Sequence, residues 1–247
     1  MNILVCISKA PDTTTKIQFV DNNTRLDGNN VQYIVNPYDE WFALVRALEL
    51  TEAGGGQVTI INVGKAENDP VIRKALAIGA HEAVRIDGDD QDGYYVAGQI
   101  AAYAKDKNFD LILLGKETID FNGSMVGGMI AAMLDLPFVS LASKLDVNGT
   151  SATISRDVKG GVEVLECATP MVISCAKGMA EARIPNMRGI MAARSKPLNV
   201  VPPVADISPL ATVQSYATPP QKTACKMIDA ENAGELINLL HNEAKVI

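Results

Sequence analysis

Leu111-Ile-Leu-Leu-Gly-Lys-Glu-Thr-Ile-Asp120, continuing as Phe121-Asn-Gly-Ser-Met-Val-Gly-Gly128, decides the fold. The apolar run 111–114 is too short for a helix and too continuous for a half-exposed strand, so it reads as a central parallel strand covered on both faces. It empties into a glycine-rich turn that opens a helix. Gly115, Gly123, Gly127 and Gly128 would let backbone N–H groups approach an anion at that helix N-terminus, the arrangement α/β proteins use to hold phosphates. The spacing is neither a P-loop nor GxGxxG. Turn-forming and helix-packing glycines would give the same string.

Upstream, Ile3-Leu-Val-Cys-Ile7, Val58-Thr-Ile-Ile-Asn-Val63 and Ala83-Val-Arg-Ile86 have strand composition and alternate with segments of helical period, the signature of βαβ units. One helix is expected after Asn36-Pro37, with Asn36 as N-cap, Asp39 in the acidic first turn and Gly54-Gly-Gly56 at its end. Trp41, Leu44, Val45 and Leu48 share a face of it. A second helix starts near Asp69-Pro70 and stops at Gly79, and a third covers about Asp92 to Lys107.

Beyond residue 137 the pattern changes to antiparallel β. An Asn148-Gly149 turn divides alternating residues from Lys144 to Arg156, Gly160-Gly161 turns the chain again towards Cys167, and Met171-Val-Ile-Ser-Cys175 is a further buried strand. Residues 177–194 mix Gly, Pro, Arg and Met without a period, as a loop or a short irregular helix. Six prolines between Lys196 and Pro220 predict an extended arm. A closing amphipathic helix carries Ala230, Leu236, Ile237, Leu239 and Leu240. The expected division is 1–195, a nucleotide-binding α/β domain, and 196–247, an arm and helix that need a surface to lie on.

The chain has 247 residues, 47% of them hydrophobic, enough to bury roughly 70–75% of its unfolded surface. A net charge of -7 and a pI near 4.9 argue against a nucleic-acid footprint. Cys6, Cys167, Cys175 and Cys225 have no CxxC spacing and read as reduced core thiols. With no signal-like leader and no 18-residue apolar run, a cytoplasmic protein without membrane insertion is expected. No catalytic constellation stands out: the serines lack a GxSxG context, and His81 and His241 read as solvated or capping. Asp87, Asp89, Asp90 and Asp92 lack EF-hand spacing and read as a solvated acidic turn, so no metal is expected.

Several stretches together resemble the electron transfer flavoprotein beta subunits, in that family's order and from Asn2 to the last helix. Leu4-Val-Cys-Ile-Ser-Lys-Ala-Pro-Asp12 is similar to the opening strand and loop, Asn36-Pro-Tyr-Asp-Glu40 to the Asn-Pro box, and Gly115-Lys-Glu-Thr-Ile-Asp120 to a Gly-Lys-Gln-Ala-Ile-Asp motif. The family signature is carried by Ile154, Arg156, Gly160, Gly161, Glu163, Leu165, Pro170, Val172, Ile173 and Ser174. Lys159 stands where the signature has Asp, Glu or Gly, and Met125 where the family usually has Gln.

The resemblance implies a Rossmann-like parallel sheet of the adenine-nucleotide alpha-hydrolase type, with a β-hairpin insertion and an extended C-terminal arm. It implies an electron carrier and not an enzyme: a heterodimer whose alpha subunit holds the redox FAD while this chain binds AMP structurally and helps enclose the flavin. It further implies docking of acyl-CoA or related dehydrogenases of fatty acid beta-oxidation and delivery of electrons to a quinone oxidoreductase. The nucleotide contacts carried over are Cys6, Asn36, Pro37, Tyr38, Asp39 and Val63. To these the loop adds Gly115, Lys116, Glu117, Thr118, Ile119, Asp120, Phe121, Asn122, Gly123, Ser124, Met125 and Val126. The docking loop is Arg183, Ile184, Pro185, Asn186 and Met187, with Ile184 as anchor, and Arg156 and Asp157 fall at the subunit interface near the FAD. Two alternatives stay open: a bifurcating member with a second FAD in place of AMP and NADH oxidation, and a stand-alone adenine-nucleotide-binding stress-type protein.

Overall fold

The computed structural model describes every residue except 38, 91, 119, 120 and 223. In chain order the strands are β1 (Asn2–Cys6), β2 (Lys9–Pro11), β3 (Phe19–Val20), β4 (Arg25–Leu26), β5 (Tyr33–Val35), β6 (Gln57–Val63), β7 (Glu82–Ile86), β8 (Leu111–Gly115), β9 (Phe138–Asn148), β10 (Ser151–Val158), β11 (Gly161–Ala168), β12 (Met171–Cys175) and β13 (Leu198–Val201). The helices are α1 (Asp39–Gly54), α2 (Asp69–Ile78), α3 (Gly93–Ala104), α4 (Val126–Leu134), α5 (Met187–Ala193) and α6 (Ala233–Asn238).

Nine strands form one sheet in the order β11-β10-β9-β12-β8-β1-β6-β7-β13. All neighbours from β9 to β13 run parallel, whereas β9, β10 and β11 form an antiparallel meander. From β1 the chain steps through β6 to β7, then returns to lay β8 on the other side of β1. The reversal between β1 and β8 makes their carboxyl ends a topological switch point, the place where open α/β sheets have their ligand crevice.

Strand alternation sorts the core. Ile3, Val5, Ile60, Leu111, Leu113 and Ile173 face α1 and α2, while Leu4, Cys6, Ile61, Val63, Ile112 and Leu114 face α3 and α4. A strand apolar at every position is the consequence of helices on both sides. α2 begins and ends as its sequence predicts, with Pro70 in the first turn and Gly79 at φ 155° closing it. The turns at Gly149 and Gly160 hold φ values of 61° and 93°, which only the missing side chain makes easy.

The structure departs from four sequence expectations. α1 starts at Asp39, and Asn36 is a fully buried tie, its Nδ2 donating to Glu117 O at 2.9 Å. The proline-rich stretch after Lys196 is not all arm: Leu198–Val201 pairs with β7 as an edge strand. Gln99 of α3 then clasps the next turn, Nε2 donating to Ala205 O at 2.7 Å while Oε1 accepts from Val204 N at 2.7 Å. The acidic turn is solvated only in part: Asp87 and Asp89 are exposed, but Asp92 caps α3 through Tyr95 N and accepts from Ala211 N, and burial raises the Asp90 carboxyl above its usual range. Finally, Cys6 and Cys175 are core thiols, but Cys167 is only partly buried and Cys225 is exposed. A residue type fixes none of these; the neighbours brought in from elsewhere do.

Residues 216–247 form a second compact unit. It contains α6, which a π-helical turn continues over Leu239–Glu243, and neither has a buried residue. Ala230 of the expected closing helix lies ahead of it. Among the described residues no helix is long and apolar enough to cross a membrane.

Candidate functional site at the carboxyl ends of β1, β6 and β8

The crevice gathers most of the expected nucleotide set. Cys6 and Val63 end β1 and β6, almost fully buried and on the face shared with α4. Gly115 ends β8 beneath the start of α1: a β-carbon there would stand 3.0 Å from Glu40 N and 3.2 Å from Asp39 Cβ. Gly115 is therefore required for helix and strand to meet, whatever else binds nearby. The Asn36–Glu117 tie joins the Asn-Pro turn to the loop after β8. Tyr38, Ile119 and Asp120 lie outside the described residues.

From Phe121 to Met125 the loop is exposed. Asn122 and Ser124 sit in the left-handed region at φ 49° and 52°, flanking Gly123. Alternation of this kind turns successive N–H groups to one side, the geometry that receives anions. Among the described residues a β-carbon at Gly123 would meet only the Met125 side chain, at 3.8 Å. The loop then enters α4 at Met125, which supplies no side-chain cap. The first amides of α4, positive through the helix dipole, have no capping side chain over them. Thr118 O accepts from Asn122 N, and the Ser124 hydroxyl donates to Glu117.

Burial pushes the Asp39 carboxyl upward, Lys116 pulling the other way and Glu117 adding to the rise. Burial also drives the thiols of Cys6 and Cys175 far above the normal range, which removes thiolate chemistry from the crevice.

The sequence pattern missed several groups at this end of the sheet. Glu40 accepts from both Ser8 N and Ser8 Oγ at 2.8 Å, fastening the turn after β1 to α1. Beyond β6, Asn62 donates to Ile7 O, and fully buried Asn68 donates to Asn62 Oδ1. Asn68 Oδ1 has no donor among the described residues. Asn62 and Asn68 carry no motif, whereas Glu40 ends the Asn-Pro box and Ser8 lies in the stretch similar to the opening strand and loop. His81, at the amino end of β7, is exposed as expected, and its Nδ1 accepts from Val58 N at 3.0 Å.

The other two expected sites lie away from the crevice. Ile184 is 84% exposed, and Met187, Ile190 and Met191 on α5 are exposed beside it in sequence. Arg183, expected among the docking residues, pairs instead with Glu52 of its own chain at 2.6 Å. On the β10–β11 hairpin, Arg156 bonds Glu163 and Ser140, while Asp157 is exposed next to Val158 and opposite Val162.

The fold defines a doubly wound α/β protein, with the uncapped start of α4 following β8 at its topological switch point. The electron transfer flavoprotein domain family matches residues 25–206. The chain is 38% identical to the electron transfer flavoprotein subunit beta of Bacillus subtilis over the full length of both. It is 33% identical to that of Syntrophomonas wolfei over all of this chain and 98% of the relative, and 32% identical to the mitochondrial one of Oryza sativa over the full length of both. The chain belongs to the electron transfer flavoprotein subunit beta family.

Proposed function

We propose that this chain is the nucleotide-holding, partner-docking half of a two-subunit electron carrier. AMP is held at the crevice as a structural ligand, and an alpha subunit carries the FAD whose one- and two-electron chemistry the complex uses. Electrons enter from acyl-CoA or related dehydrogenases and leave to a quinone oxidoreductase; this chain makes and breaks no bonds. The observation that carries the reading is Gly123, set between two left-handed residues and leading into the uncapped start of α4. A phosphate there would receive amide hydrogen bonds in place of solvent.

Three further surfaces support assembly and docking. Val158, Val162 and Val164 expose apolar area on the outer hairpin, where Asp157 would pair with the alpha subunit near the flavin. Leu236, Ile237, Val246 and Ile247 are exposed in the 216–247 unit, which would pack on that subunit. Ile184, followed by conformation-limiting Pro185, would fill a small apolar pocket on a dehydrogenase.

One observation favours a second reading. Phe121 and Met125, each 48% exposed beside the crevice, offer apolar faces to a flat ring system, as a second FAD in a bifurcating, NADH-oxidising complex would present. Extraction of nucleotides from the co-purified two-subunit complex decides: one FAD with one AMP supports the carrier, two FADs the bifurcating form, and no nucleotide assignable to this chain refutes both.

A further inference from the structure

The loop that presents Ile184 is fastened within the chain at both feet. On the upstream side α1 holds Arg183 twice: its carbonyl accepts the Trp41 indole N–H at 3.1 Å, and its guanidinium forks onto the Glu52 carboxylate at 2.6 and 3.1 Å. Trp41 is itself fixed, because Lys74 of α2 lies over its ring at 5.0 Å from the centroid. On the downstream side Asn186 Oδ1 caps α5 through Gly189 N at 2.8 Å. Gly189 presses so close to α2 that a β-carbon would stand 2.3 Å from Ala77 O. Arg73 of α2 then donates to Ala193 O and Lys196 O, and Lys196 Nζ closes the end of α2 on Leu76 O, Gly79 O and Ala80 O. Between the feet only Ile184 and Pro185 are left to project.

We infer that Arg183, Glu52 and Trp41 are positioning residues for docking: they fix the backbone that presents Ile184, and the Arg183 charge serves this internal strut and not the partner. The inference rests on the docking role proposed for Ile184 above. A single exposed ion pair contributes little to stability, but a bidentate arginine fork fixes direction as well as distance. Combined with an indole bond to the same residue, it removes the conformational freedom that the loop would otherwise lose on binding. The contrary role, Arg183 as a free cation steering towards an acidic partner, makes the opposite prediction for its neighbour. Neutralising Glu52 would liberate such a cation and leave docking unchanged or tighter.

The test uses the intact two-subunit complex and an acyl-CoA dehydrogenase as probe. Glu52→Gln, which keeps side-chain size, and Trp41→Phe, which removes the indole N–H, are expected to raise the dehydrogenase's KM for the carrier by roughly two- to ten-fold. The kcat at saturation should stay as in the wild type, and amide exchange at residues 183–187 should quicken. The exchanged pair Glu52→Arg with Arg183→Glu should return KM to within about two-fold of wild type. Wild-type or lower KM in Glu52→Gln, unchanged amide protection, or no recovery in the exchanged pair would each overturn the inference. Ile184→Ala serves as the reference: if it docks normally, the docking role itself fails, whereas its loss beside an unaffected Glu52→Gln sinks only the strut.

Discussion

Ile184→Ala would isolate the docking role proposed for this side chain from the rest of the protein. The side chain is 84% exposed in the free protein, so truncating it leaves no cavity and removes almost no buried area; the melting temperature should move by less than about 1 °C. On docking, by contrast, the same atoms would pass from water into a partner's pocket. Loss of that burial corresponds to about 1–3 kcal/mol, a weakening of roughly ten-fold or more at the middle of the range. The assay compares two routes into the same flavin in the two-subunit complex: reduction through an acyl-CoA dehydrogenase and direct reduction by dithionite. Only the first should slow, through the KM for the carrier, with the flavin potential and the nucleotide content as in the wild type. Equal slowing by both routes would mean a damaged fold, and equal rates by both would mean that partners are recognised elsewhere on the molecule.

Gly123→Val should lower bound AMP several-fold without unfolding the chain, because its β-carbon meets only the Met125 side chain among the described residues; unchanged AMP in the purified complex would remove this loop as the site. Asp157→Lys should impair assembly with the alpha subunit more than AMP binding, measured by co-purification yield against nucleotide content, and an effect on neither would cancel its interface role. Alkylation with iodoacetamide at about pH 8 should modify Cys225 and spare Cys6 and Cys175, whose buried thiols are held far above that pH; early labelling of either, read by mass spectrometry, would contradict their burial. The Glu52 carboxyl is held below its usual range, first by its hydrogen bond from Arg183. The strut is therefore complete above the ordinary carboxylate range and is lost as pH falls through the lowered value, so docking should be flat from about pH 6 to 8; a docking loss on acidification within that window would assign the dependence to another group.

The sheet was legible where the covalent pattern and the environment agree. Val58 to Val63 and Leu111 to Leu114 are apolar at nearly every position, and only a strand covered by helices on both faces permits that. The Asn148-Gly149 and Gly160-Gly161 turns were legible for a steric reason, since Gly149 and Gly160 take up positive φ. Leu198–Val201 was not legible: four residues between Pro197 and Pro202 hold no periodicity, and the edge of β7 supplies the reason for a strand there. In the acidic turn Asp87 and Asp89 are exposed, as read, but composition cannot tell them from Asp92, which two backbone amides claim.

The crevice was legible at the level of strand ends and glycines, but the roles of the glycines were not separable in one dimension. Gly115 and Gly123 look alike in the sequence. In the fold the first is confined between β8 and the start of α1, where a methyl group would push against Glu40, while one on the second would meet only the Met125 side chain among the described residues. The first is thus a condition for the site's walls, and the second is free to meet a ligand. The same separation applies to the charges. Arg183 enters the docking loop through the resemblance alone, and its bonds to Trp41 and Glu52 connect residues 142 and 131 positions apart, contacts of a range that no local pattern encodes. α1 consequently serves two sites: its first turn walls the crevice through Asp39 and Glu40, and its side chains Trp41 and Glu52 hold the foot of the Ile184 loop. A rigid helix shared in this way would keep the presented isoleucine and the nucleotide crevice in fixed register, which requires no conformational signal between them.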